Sequence, residues 1–136
     1  MPLLKSATIL SAIAVLIALP TPTLAYSCSV PSIQSPAKRT VCSNRDLRKL
    51  NTEETKGYAA LGSALIGDAR EALINDHWTF LQTREGCKKD KRCHEASFNA
   101  QLRLYKTLLA CKPGAESADC VSKAIEAHRQ ELHKAL

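Results

Sequence analysis

The stretch Trp78-Thr79-Phe80-Leu81-Gln82-Thr83-Arg84-Glu85-Gly86-Cys87-Lys88-Lys89-Asp90-Lys91-Arg92-Cys93 decides the fold. Leu73, Ile74, His77, Trp78, Leu81 and Arg84 recur at the spacing of a helix face, and Gly86 ends that helix. Cys87 to Cys93 is a short polar turn. A second helix is predicted from Cys93 to Ala110, with Phe98, Leu102, Tyr105 and Leu109 on one stripe. Two helices joined by so short a turn lie antiparallel, and the two cysteines bracket the turn.

Upstream, Ser43-Asn44-Arg45-Asp46 resembles a capping box and predicts a helix start. Leu47, Leu50, Tyr58, Leu61 and Leu65 continue its apolar stripe, with one turn skipped at Glu54. Gly67-Asp68 reads as a break, with Asp68-Ala69-Arg70-Glu71 as a second capping box. Downstream, Pro113-Gly114 closes the helix, and another begins near Ser117 with Val121, Ile125, His128 and Leu132. No segment alternates with period two, so no sheet is expected. Residues 26–42, with Pro31, Pro36 and several serines, read as an irregular arm. The expected fold is all-α: a small antiparallel bundle of three to four helices over residues 43–136, stapled by three disulfides.

The remaining cysteines fit this map. Sequence alone does not choose among the pairings that six cysteines allow. Their placement suggests a sequential scheme. Cys28 and Cys42 bracket the arm, Cys87 and Cys93 the first turn, and Cys111 and Cys120 the Pro-Gly turn.

The N-terminus explains why disulfides are expected. Lys5 precedes an uncharged apolar run from Ala7 to Leu19, and Thr23-Leu24-Ala25 has small residues at −3 and −1. Residues 1–25 therefore read as a cleavable signal peptide cut after Ala25, leaving a single domain over 26–136. The apolar run is too short for a permanent membrane span. Tyr26 fits a lipidation box badly, so a soluble periplasmic or secreted product is expected. That compartment favours disulfides.

The whole chain carries a net charge of +6, and loss of Lys5 with the leader leaves +5. A basic exported protein meets anionic partners: cell-wall polymer, lipid heads or an acidic cleft. Nucleic acid is not an expected partner. Two Phe, one Trp and three Tyr offer no platform for base stacking.

Several residues in order resemble the lysozyme inhibitor LprI-like family of bacterial envelope proteins. They are Cys28, then Ser35-Pro36-Ala37-Lys38-Arg39-Thr40-Val41-Cys42, then Leu47, Leu50 and Tyr58, then the Trp78–Cys87 stretch, Cys93, Phe98 and Leu102. Tyr58, Trp78 and Arg84 are the motif residues between the cysteines. The sequence departs from the pattern at four places. Lys38 and Asn51 stand where acids are usual, Phe98 where Tyr is common and Gln101 where Arg is common. These departures predict the loss of a typical buried polar network. The resemblance implies a helical domain that binds and inhibits a peptidoglycan-cleaving muramidase.

The Cys87–Cys93 loop is the candidate partner surface. Lys88, Lys89, Lys91 and Arg92 are four of its five enclosed residues. A muramidase cleft is built around two catalytic carboxylates, which such a loop complements. Basic lysozymes would repel a +5 protein at long range, so a less basic muramidase, including one of the bacterium's own, fits as well. The alternative is an envelope module that binds anionic wall polymer or lipid through its basic surface without inhibition.

Trp78 is expected in the core, with Arg84 bonding across to a neighbouring element. The four histidines, His77, His94, His128 and His133, are expected in solvent. Their spacing supports no metal site, and no cofactor is expected. Nothing places two acids across a cleft, and there is no phosphate loop or nucleophile elbow, so no enzyme is expected.

Overall fold

The computed structural model describes residues 26–29, 35–111, 114 and 117–135. The signal-peptide reading of 1–25 and the roles given to Pro31 and Pro113 lie outside the described residues. The fold is all-α, with no strand among the described residues. The described residues form five helices in order: α1 (Pro36–Ser43), α2 (Arg45–Ala64), α3 (Gly67–Gly86), α4 (Lys91–Leu109) and α5 (Ser117–Ala135).

Helix α1 corrects the irregular-arm reading at residues 36–42. Pro36 occupies the first turn of α1, where a proline costs no hydrogen bond. The Ser35 side chain accepts the Lys38 amide at 3.1 Å and caps the start. Two other starts move as well. Asn44, not Ser43, caps α2, its Oδ1 accepting the amides of Asp46 and Leu47. α3 begins at Gly67 with Ile66 before it, and Asp68 makes no cap there. Gly67 adopts φ +56°, a left-handed conformation that glycine enters without steric cost.

Contacts between helices fix their directions. Asn51 meets Arg84, Tyr58 stacks on His77, and Gly62 meets Arg70, so α2 and α3 run antiparallel. Asp76 meets Gln101 and Phe80 meets Phe98, so α3 and α4 do too. The Cys111–Cys120 bond at the turn makes α4 and α5 the next antiparallel pair. α1 packs against α2, α3 and α4 at the end of the bundle that carries the α3–α4 turn. The sequential disulfide scheme is observed: Cys28–Cys42, Cys87–Cys93 and Cys111–Cys120.

Two apolar clusters form the core. One joins Leu61, Leu65, Leu73, Leu104, Leu108, Val121 and Ile125, with Tyr58 and Tyr105 at its edge. The other joins Val41, Leu47, Phe80 and Phe98. Each large side chain so buried contributes about 1.5–3 kcal/mol. Leu109 is 60% exposed, and Leu104 and Leu108 carry the α4 stripe in its place.

Polar side chains are buried among the helices as well, Asn51 and Gln101 included. Glu54, where the α2 stripe was expected to skip a turn, is fully buried. Tyr105 donates its hydroxyl to Glu54 Oε1 at 2.6 Å. Burial, and then the Glu54 charge, push the Tyr105 phenol far above its ordinary range, so it stays protonated. His77 Nδ1 lies 3.1 Å from the Tyr105 oxygen and 3.2 Å from Glu54 Oε1. Both are acceptors there, so Nδ1 carries the ring proton. Gln101 donates to Asp76 Oδ2 at 2.9 Å. Gly57 permits this packing. A Cβ there would lie 2.8 Å from the Tyr105 ring.

Candidate functional site

The Cys87–Cys93 turn is a built loop. α3 ends at Gly86, and the Cys87 amide folds back onto the Arg84 carbonyl at 3.2 Å. Lys88 then takes φ +49°, the left-handed region that costs a non-glycine residue about 1 kcal/mol. Asp90 reverses the chain. Its amide bonds the Cys87 carbonyl, and its Oδ1 accepts the amides of Arg92 and Cys93, capping α4.

His94 holds the loop from beneath. The ring is fully buried, and Nε2 is 3.0 Å from the Lys88 carbonyl. A carbonyl only accepts, so Nε2 carries the proton and donates. The disulfide, the Asp90 cap and this bond together fix the loop. Lys88, Lys89, Lys91 and Arg92 all stand exposed on it. No ion pair within 4.0 Å joins any of them to a described residue.

α1 adds a residue that the sequence reading missed. A groove of about 560 Å³ is lined by Pro36, Arg39, Thr40, Cys42, Ser43, Lys89 and Lys91. It holds three cations and no carboxylate, so the basic surface extends from the loop onto α1. The signal for Arg39 was present in Ser35-Pro36, a cap followed by a first-turn proline.

The other motif residues sit elsewhere. Tyr58 is buried and stacks on His77, with ring centroids 3.9 Å apart. Arg84 is buried and does bond across, its Nη1 donating to Asn51 Oδ1 at 3.4 Å. Its guanidinium lies 3.7 Å from the Tyr26 ring centroid. Trp78 is 52% exposed, which corrects its expected place in the core. The inner face of α3 is Ala69, Leu73, Asp76, His77, Phe80 and Arg84, and Trp78 lies one step round from it. The histidine expectation is also corrected. His77, His94 and His128 are buried; only His133 is exposed. Among the described residues no three His, Cys, Asp or Glu side chains group as metal ligands.

Comparison with protein-family models, with curated proteins and with solved structures gives no match. The functional reading therefore rests on these residues and their geometry. No described helix is long and apolar enough to cross a membrane.

Proposed function

We propose that this chain is an exported binding protein whose stapled cationic loop enters the cleft of a peptidoglycan-cleaving muramidase and blocks it. One observation carries the reading: four exposed cations, none in an ion pair with a described residue, on a loop fixed by a disulfide, an Asp90 cap and His94. Such a loop enters a carboxylate-lined cleft with little ordering cost. The three disulfides belong with an oxidising compartment, which supports export to the periplasm or beyond after cleavage at Ala25. The buried Glu54, His77 and Tyr105 lie within the core. The proposed mechanism is therefore occlusion, without bond chemistry.

The acid-free groove of Arg39, Lys89 and Lys91 favours a second reading, capture of an anionic wall polymer or lipid head. One assay separates the two. Lysis of cell-wall suspensions by several muramidases is followed with and without the oxidised protein. Stoichiometric inhibition that survives moderate salt supports the inhibitor. Wall binding alone, lost steeply as salt rises, supports the polymer reading. Neither result would leave both readings without support.

A further inference from the structure

A second groove, with a mainly apolar lining, begins at the base of the stapled loop and runs along α4. α3, α4 and the end of α5 enclose a groove of about 500 Å³, within the usual range for small-molecule sites. Arg92, Ala96, Asn99, Ala100 and Arg103 recur at three- and four-residue steps, so one face of α4 forms its floor. From Arg92 to Arg103 the helix rises about 16 Å. Cys93, Ala96, Ala100 and Leu132 make an apolar strip along it.

The far end of the groove is polar. His128 on α5 and Arg103 on α4 line both this groove and an adjoining hollow of about 270 Å³. His128 is 8% exposed, and its ring nitrogens keep access to solvent where it lines the groove. Arg103 has no ion pair with a described residue within 4.0 Å. Two carboxylates also line the groove. Asp90 is engaged in capping α4, and Glu131 is exposed.

We infer that this groove binds an acyl carboxylate, with its head on Arg103 and His128 and its chain along Ala96, Ala100 and Leu132. An apolar strip that ends in a paired cation and imidazole suits one charged head on one apolar tail. A free inorganic anion would leave the strip unused, and a neutral amphiphile would leave Arg103 unpaired. The inference is independent of the muramidase reading. Of the four loop cations, only Arg92 lines the groove.

The probe is dodecanoate, titrated into the oxidised protein by calorimetry, with dodecylammonium and acetate as comparisons. One dodecanoate is expected to bind per chain, at least about tenfold tighter than dodecylammonium, with acetate far weaker than either. Arg103→Gln, which removes the charge and leaves a shorter polar side chain, should weaken dodecanoate by about tenfold. Ala96→Phe fills the groove from an exposed position and should weaken it at least as much. Glu131→Gln should tighten it. Retained helical circular dichroism and melting confirm that each variant is folded. Lys88→Ser with Lys89→Ser and Lys91→Ser guards against surface pairing and should leave dodecanoate affinity within about twofold. Equal binding of dodecanoate and dodecylammonium would overturn the inference. So would unchanged affinity in folded Ala96→Phe, or loss of binding in the loop variant.

Discussion

The guanidinium of Arg84 lies 3.7 Å from the ring centroid of Tyr26, fifty-eight positions earlier in the chain. No described carboxylate pairs with Arg84, although its side chain is buried. The Tyr26 ring and the Asn51 amide oxygen take the place of a counter-ion. Asn51 in turn donates to the Tyr26 carbonyl at 3.4 Å, and the Tyr26 hydroxyl bonds Glu85. Burial, followed by the Glu85 hydrogen bond, raises the Tyr26 phenol far above its ordinary range. Tyr26 therefore locks the first residue expected after signal cleavage onto the bundle. Tyr26→Ala is expected to destabilise the oxidised protein by about 1–2 kcal/mol, read by urea denaturation. Tyr26→Phe keeps the ring and should recover most of the loss. Equal loss in both variants would make the hydroxyl, and not the ring, the important contact.

Gly57 and Gly62 offer a paired test of the α2–α4 packing. Both lie inside α2, where alanine would favour helix by about 1 kcal/mol. Gly62 has open space where its Cβ would sit, so Gly62→Ala should stabilise by about 0.5–1 kcal/mol. Gly57 faces Tyr105 at 2.8 Å from the added Cβ. That ring is held by Glu54 and cannot easily retreat. Gly57→Ala should destabilise by about 1–3 kcal/mol. Opposite signs in thermal melts are the expected outcome.

The same contrast shows what the sequence could and could not reveal. Gly86, the charged turn and the flanking cysteines announce a helical hairpin without any tertiary information. The disulfides follow because each pair brackets one chain reversal. Trp78 misled because its size marks it as core, while its neighbours His77 and Asp76 look like surface. The stripe read from spacing included His77 and Arg84 but took Trp78 and Leu81 in place of Asp76 and Phe80, because apolar periodicity does not register a buried carboxylate. The burial of Asp76, His77 and Arg84 depends on partners at Tyr105, Gln101 and Asn51, 25 to 33 positions away. The four loop cations were legible because they fall together between Cys87 and Cys93. Arg39 joins them only through the position of α1, and the α4–α5 groove exists only once two helices are packed.

His128 predicts a pH dependence. Burial first lowers its pKa below 6.5, against the raising fields of Asp76 on α3 and Glu131 on α5; Arg103 on α4 and Arg129 on α5 add to the lowering. The unfolded chain therefore takes up this proton at a higher pH than the folded chain. Stability from His128 is present above about pH 6.5 and falls as pH drops toward the lower folded value. His128→Gln should show a shallower loss of stability over that window in urea denaturation. Parallel profiles for the two proteins would show that His128 is not the group responsible.

Lys88 sits in a conformation that suits glycine, on the surface proposed to meet a partner. Lys88→Gly should raise stability by about 1 kcal/mol and weaken partner binding at the same time. A rise in stability with unchanged binding would remove Lys88 from the contact surface. A fall in stability would show that His94 holds the lysine backbone without strain.

The central claim is that the stapled cations do the binding. The most direct test compares the oxidised protein with a variant in which Lys88, Lys89, Lys91 and Arg92 are all serine. Both are titrated against a muramidase that the wild-type protein inhibits, at moderate salt, with lysis of wall suspension as the readout. Matching melts establish that both are folded. The account predicts that the variant inhibits about 100-fold more weakly, because it has lost four charges from the contact. Equal inhibition by the two proteins, or no inhibition of any muramidase by the wild type, would contradict it.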